Sequence, residues 1–537
     1  MAILGADALW SADTDVPLDR RAIGAVVVDN ATAHPDRTAL VWPAAGALSS
    51  WTWSELRDQS EAFARRLLTF AEPGDVVAVF AANSPEWVCL EYGAALAGIT
   101  IAAVNTALAD AEVGHVLNSS GARAVFVDAE WRGSPLLDRV RAISPETPAH
   151  ELAGWRDLAA STGSLPVVDS DAPFLIQFTS GTTGKPKGAV ISHRAAFNCA
   201  RYQILRIGGT TADNWLNVLP LHHVGGSVCV LLSMLAVAGA TTLAPSFDPS
   251  AVLQLIEHSR ATIIGLVPTM QLALLDHPDF ATADLTSLRM VMGGGSVVPT
   301  SLIHRVEAAF GATVVNAYGQ SESPSAIMTH PDDDDVTNAE TIGRPLDQRD
   351  VRIRRPDGST AAFDEVGELL MRSPLTMDGY LGVGGDDALS GGGLSDEWLR
   401  TGDLCSMNSE GVLRIHGRLR EVIIRGGENI YPAEVEDVML RHPAIADIAV
   451  IGAPDEHWGE VPVGCYRPAT DQHPSDAELT EFGRVSLAGF KVPRRWIAMD
   501  AFPLTAAGKV KKFVLREQLA PREQLTSATG SPRTEQQ

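Results

Sequence analysis

The chain is poor in positive charge. Its 42 lysines and arginines face 66 aspartates and glutamates, giving a formal net charge of -24. Nucleic acids and anionic membrane surfaces are bound through basic patches, so neither is an expected partner. Cysteine is scarce and scattered. Cys89, Cys199, Cys229, Cys405 and Cys465 are odd in number and form no C-x-x-C pair. This excludes a regular disulfide framework and fits free thiols in a reducing cytoplasm. The start of the chain lacks the basic segment of a secretory leader, since Asp7, Asp13 and Asp15 precede its first arginine. Long apolar runs are also missing. The most membrane-like stretch, residues 228–240, is too short to span a bilayer and reads as a buried helix. No transmembrane segment and no internal repeat are expected.

What is present suits an ordinary globular protein. At 537 residues the chain exceeds one core, so two or more domains are expected. Its 45% hydrophobic and 20% charged residues are ordinary for a soluble fold. Strand-like Val76 to Phe80 and Ala124 to Val127 alternate with helical stretches beginning at Trp53 and Pro85. Such alternation predicts an α/β fold with largely parallel sheets covered by helices. The acidic run Asp332 to Asp335 reads as a solvated loop rather than a metal site.

The densest chemistry lies in Thr179-Ser180-Gly181-Thr182-Thr183-Gly184-Lys185-Pro186-Lys187-Gly188, set between the apolar runs Phe174 to Phe178 and Ala189 to Ile191. Glycines let backbone N–H groups approach a polyanion, and hydroxyls and ammonium groups add donors and positive charge. The spacing is not that of a Walker A loop, because Pro186 follows Gly184-Lys185 where a serine or threonine would stand. The string resembles, at every position, the [ST]-S-G-[ST]-[ST]-G-x-P-K-G phosphate loop of the AMP-forming adenylating superfamily. That superfamily holds acyl-CoA synthetases, peptide-synthetase adenylation domains and beetle luciferases.

Further motifs appear in the order of that family. The resemblance implies that Thr179, Ser180, Gly181, Thr182, Thr183, Gly184 and Lys187 bind the ATP phosphates. Pro220-Leu221-His222-His223-Val224-Gly225-Gly226 makes His223 the residue beside the acyl carboxylate. Gly294 and Gly295 resemble the family's turn that passes adenine and the acyl pocket; Ser296 and Val297 depart from its usual alanine and proline. In Asn316-Ala317-Tyr318-Gly319-Gln320-Ser321-Glu322, Tyr318 is implied to stack on adenine, with Asn316, Ala317 and Gly319 around it. Ser321 is implied to bond the α-phosphate and Glu322 to hold Mg2+. Met377-Asp378-Gly379-Tyr380 is a further landmark without an assigned role. Asp403 is implied to accept from the ribose hydroxyls, Arg418 to contact the ribose, and Arg420 to be the hinge. By the same resemblance, Gly426 and Gly427 are implied to border a pantetheine tunnel, and Lys509 to bridge the substrate carboxylate and the α-phosphate. Lys511 and Lys512 read as solvated neighbours.

The expected organisation is an AMP-binding domain over residues 1–418, a small mobile α+β lid over 419–519 and a disordered tail over 520–537. The expected activity uses ATP and Mg2+ to convert a carboxylic acid to an acyl-adenylate, then passes the acyl group to coenzyme A while the lid rotates about Arg420. A ligase loading a carrier-protein pantetheine in trans is the alternative. A luciferase-like oxygenase has nothing in its favour, and a non-catalytic nucleotide sensor should have lost Lys509 or Glu322. The assembly is left open, a homodimer included. After His223 come Val224, Gly225, Gly226, Ser227 and Val228, with no carboxylate to hold a substrate ammonium. Burying that charge unpaired is costly, so a fatty, aryl or alicyclic acid is expected. Lys509→Ala should lower adenylation roughly a hundred- to a thousandfold. Thioester formation from supplied acyl-adenylate should persist. Acid-dependent pyrophosphate exchange and thioester release, assayed separately, check this.

Overall fold

The computed structural model describes residues 3–4, 7–179, 186–294, 300–382, 394–395, 398–426, 428–455, 457–469, 473–504 and 510–519. The expectations for Ser180, Gly181, Thr182, Thr183, Gly184, Gly295, Gly427, Lys509 and the tail 520–537 lie outside the described residues. The chain divides into two compact units. One comprises Met1–Thr401 and Cys405–Ile415, the other Gly402–Leu404 and His416–Gln537.

The larger unit is α/β. Its nine-stranded sheet runs Arg344–Pro345, Ser323–Met328, Thr313–Gln320, Met290–Gly294, Ile263–Leu266, Asn214–Asn217, Ala240–Leu243, Thr38–Ala44 and Ala47–Thr52. The strands from Thr313–Gln320 to Thr38–Ala44 are mutually parallel. A seven-stranded sheet runs Gly379–Tyr380, Lys187–Ser192, Pro173–Thr179, Thr100–Ala103, Val76–Phe80, Val125–Val127 and Ala149–Glu151. Its last five strands are parallel, and the first three form an antiparallel edge. A further group of strands departs from the expected parallel pattern. Leu9–Ser11, Asp350–Arg354 and Gly367–Arg372 pair antiparallel. In Asp350–Arg354, Val351 and Ile353 are buried while Asp350, Arg352 and Arg354 are half-buried, the period-two pattern of a sheet with one covered face.

The helix Pro85–Ala97 starts as its sequence dictates. The Ser84 hydroxyl accepts from the Trp87 N–H at 3.2 Å, and Pro85 occupies the first turn. The stretch 228–240 is a buried helix in part only. A π-helix spans Gly225–Leu232 and an α-helix Ser233–Val237, before the strand Ala240–Leu243. Such π turns are rare and concentrate at functional sites. Asp332 to Asp334 do form an exposed turn, but the run also does structural work and Asp335 opens a helix. Asp334 caps the helix Asp335–Glu340 by accepting from the Thr337 N–H, and Asp333 pairs with Arg344 at 2.8 Å. Among the described residues no helix is long and apolar enough to cross a membrane.

The smaller unit is α+β. Its sheet runs Glu428–Ile430, Ile423–Arg425, Gly459–Pro468 and Ile445–Asp455, with Arg495–Ala498 also on Gly459–Pro468. The helices Pro432–Met439 and Asp476–Ser486 bury Val435, Met439 and Leu479 in the same core as Ile423 and Ile430. Pro432 sits in the first turn of its helix, where a missing N–H costs nothing.

Glu91 is out of place. It lies inside the buried helix Pro85–Ala97, 2% exposed, and neither carboxylate oxygen makes a hydrogen bond of ordinary geometry. Burial pushes its pKa up to about 8, against a smaller downward pull from Trp87. Between the ordinary glutamate value and about 8 the native state keeps a proton that the unfolded chain gives up. Stability is therefore greatest below this window and falls across it by ~1.4 kcal/mol per pH unit. Glu91→Gln should remove that slope. Melting curves of both proteins should diverge as pH rises towards about 8 in the variant's favour; a constant offset would contradict the assignment.

Candidate active site

The strands Pro173–Thr179 and Lys187–Ser192 form a hairpin whose register places Thr179 opposite Lys187. The Thr179 hydroxyl donates to the Lys187 carbonyl at 3.5 Å. The ends of the phosphate-loop motif are thus held side by side on one sheet edge. His115, on the helix Asp110–Ser120, adds a hydrogen bond from Nε2 to the Pro186 carbonyl at 2.9 Å. The Lys187 ammonium lies 5.2 Å from the centre of the Tyr380 ring. That is within cation–π range.

The second motif lies at the end of the strand Thr313–Gln320. Asn316 is buried, and its Nδ2 donates to the Asn338 carbonyl at 2.8 Å. Its Oδ1 has no partner among the described residues, so it is a buried acceptor open to a donor. Ala317 pairs with Gly294 on one side and Met328 on the other. Tyr318 is half-buried against the core containing Ile327 and Met377. Gly319 is required by space: a Cβ there would meet the Ser325 nitrogen at 2.4 Å. Ser321 is half-buried, and Glu322 is 9% exposed.

Glu322 is held from one segment. The Tyr380 hydroxyl donates to its Oε1 at 2.8 Å, and its carbonyl accepts from the Met377 N–H at 2.8 Å. Burial, then the neighbouring Glu322 charge, pushes the Tyr380 pKa up, so the phenol remains a donor. Magnesium takes few protein carboxylates and completes its shell with phosphates and water. A single buried carboxylate fits that role. Among the described residues no group of three or more His, Cys, Asp or Glu could cage an ion.

His223 is exposed and precedes the π-helix. Its Nδ1 accepts from the Gly225 N–H at 3.0 Å, which places the proton of a neutral ring on Nε2. His222 is different: burial, then the neighbouring His223, pushes its pKa down to about 3. Its carbonyl accepts from Gln177 at 3.0 Å.

In the smaller unit, the Asp403 carboxylate is 2% exposed and pairs with Arg418 Nε at 2.7 Å. Arg420 is exposed on the short 3-10 turn Leu419–Glu421. Gly426 turns the hairpin between Ile423–Arg425 and Glu428–Ile430 at φ +59, and a Cβ there would meet the Trp458 ring at 2.7 Å. Lys512 is not solvated, contrary to the sequence reading. It lies 2.7 Å from Glu436 and 3.2 Å from Glu421. Burial pulls its pKa down, but the two carboxylates outweigh that and hold it raised. Both carboxylates come from distant segments, so local sequence gave no warning. Tyr380 was visible as a landmark, yet only folding brings it to Glu322.

A large α/β unit carrying this hairpin, followed by a small α+β unit, is the architecture of the adenylating enzymes. The chain belongs to the AMP-binding enzyme family. The model of that family matches residues 27–381, and the AMP-binding enzyme C-terminal domain matches residues 434–509. Long-chain-fatty-acid--CoA ligase FadD13 of Mycobacterium tuberculosis (strain ATCC 25618 / H37Rv) is 33% identical, over 92% of this chain and 98% of its own. Medium-chain acyl-CoA ligase ACSF2, mitochondrial, of Mus musculus is 31% identical, over 94% and 89%. The solved o-succinylbenzoate CoA synthetase (MenE) from Bacillus subtilis, in complex with the acyl-adenylate intermediate OSB-AMP, superposes with a TM-score of 0.80 at 29% identity. That match covers 92% of this chain and 97% of that one.

Gly319→Ala should destabilise the protein by about 1–3 kcal/mol, the usual penalty for overpacking, because the blocking atoms are backbone. Denaturant melts would show it. Unchanged stability would mean that the backbone facing Gly319 across the hairpin has room to move.

Proposed function

We infer that the chain is an AMP-forming acyl-CoA ligase. A carboxylate oxygen attacks the α-phosphorus of ATP and pyrophosphate leaves, giving an acyl-adenylate. The thiol of coenzyme A then attacks the acyl carbonyl and AMP leaves. The observation that carries this reading is the buried Glu322, fastened through Tyr380 to the strand that closes the phosphate-loop hairpin. It ties a carboxylate able to hold Mg2+ to the strand that leaves the phosphate-loop motif. Little covalent chemistry then falls to side chains; alignment and charge neutralisation do the work.

The roles follow from that reading. Lys187 and the loop hold phosphates, and Mg2+ on Glu322 neutralises the triphosphate when bound. The open Oδ1 of Asn316 suits the adenine amino group, and Tyr318 offers its ring. The resemblance assigns His223 to the acid's carboxylate. The resemblance assigns Asp403 and Arg418 to the ribose, Arg420 to the hinge, Gly426 and Gly427 to pantetheine, and Lys509 to adenylation. No observation favours a carrier protein as acceptor.

The residues after His223 include no carboxylate, and Val224, Ser227 and Val228 are buried. An apolar fatty, aryl or alicyclic acid fits them. Each buried CH₂ of the acid should add about 0.8 kcal/mol. Steady-state kinetics across acetate, octanoate, benzoate and several amino acids should give octanoate or benzoate the highest kcat/KM. Preference for acetate or an amino acid would overturn the pocket argument.

A further inference from the structure

The segment Met377 to Leu381 reaches both the strand leaving the phosphate-loop motif and Glu322. The Asp378 N–H donates to the Val190 carbonyl and the Leu381 N–H to the Gly188 carbonyl, each at 2.8 Å. Tyr380 stands in register with Ala189. One side of the segment is therefore zipped to the strand leaving the phosphate loop. On its other side the Met377 N–H and the Tyr380 hydroxyl bond the backbone and side chain of Glu322, both at 2.8 Å. The ring of Tyr380 also faces the Lys187 ammonium at 5.2 Å.

We propose that Tyr380 is the positioning residue for Glu322, fixing the carboxylate that would hold the Mg2+ of bound ATP, while its ring holds Lys187. This rests on the ligase reading above. A phenol that donates to one carboxylate oxygen stops the group from rotating. Hydrogen-bond partners of a metal ligand commonly set metal affinity by 10- to 100-fold. The two contacts are separable, because the hydroxyl serves Glu322 and the ring face serves Lys187.

The test is ATP binding by calorimetry, without acid or coenzyme A, across a Mg2+ titration. For the wild type, Mg2+ should tighten ATP binding, and Glu322→Gln should lose most of that effect. Tyr380→Phe should shift the Mg2+ concentration for half-maximal effect upward by about 10- to 100-fold. Its affinity for ATP without Mg2+ should stay as in the wild type. Tyr380→Leu should show the same shift and also weaken Mg2+-free binding, since Lys187 loses its ring. A Tyr380→Phe titration superimposable on the wild type would overturn the proposal. So would a variant that loses thermal stability with no change in Mg2+ dependence. A wild type whose ATP binding ignores Mg2+ would instead overturn the magnesium role of Glu322.

Discussion

A carboxylate cannot sit buried beside a phosphate site unless donors hold it there. In this chain the constraint falls on Glu322, which is 9% exposed and accepts from the Tyr380 hydroxyl. The segment supplying that donor is itself zipped to the strand Lys187–Ser192. The position of Glu322 relative to the phosphate-loop hairpin is therefore set by backbone pairing, not by flexible side chains alone. Gly319, in the strand before Glu322, lets the backbone of Ser323 and Ser325 approach closely across the hairpin. The parallel strands behind it give the hairpin a rigid base.

The same arrangement explains how a chain with a formal charge of -24 can receive a triphosphate. Much of the acid is engaged elsewhere. Asp213 is held by Arg289, Glu368 by Arg400 and Asp350 by Arg372. Lys187 stands at the end of the loop. A local field of this kind acts at short range, while the overall charge is screened over roughly 8–10 Å at ordinary salt.

Local signals in the sequence were legible where the cause is local. Pro85–Ala97 begins at a serine cap and a proline, and Val76–Phe80 is an unbroken apolar strand. The candidate motifs were legible as strings of residue types, and the family follows from them. What was hidden depends on partners far along the chain. Tyr380 reaches Glu322 across 58 residues of sequence, and Lys512 reaches Glu421 and Glu436. The antiparallel pairing of Asp350–Arg354 and the π turn at Gly225–Leu232 are likewise set by packing. Glu91 gave no sign at all, because an acidic residue on a helix normally faces water.

The central claim is that the acid attacks the α-phosphorus of ATP and that coenzyme A later displaces AMP. Octanoate labelled with ¹⁸O in its carboxylate tests it most directly. Incubated with the protein, Mg·ATP and coenzyme A, it should give octanoyl-CoA and AMP, with one ¹⁸O from the acid in the phosphate of AMP and none in pyrophosphate. Label in inorganic phosphate with ADP as co-product, or AMP free of label, would contradict the account.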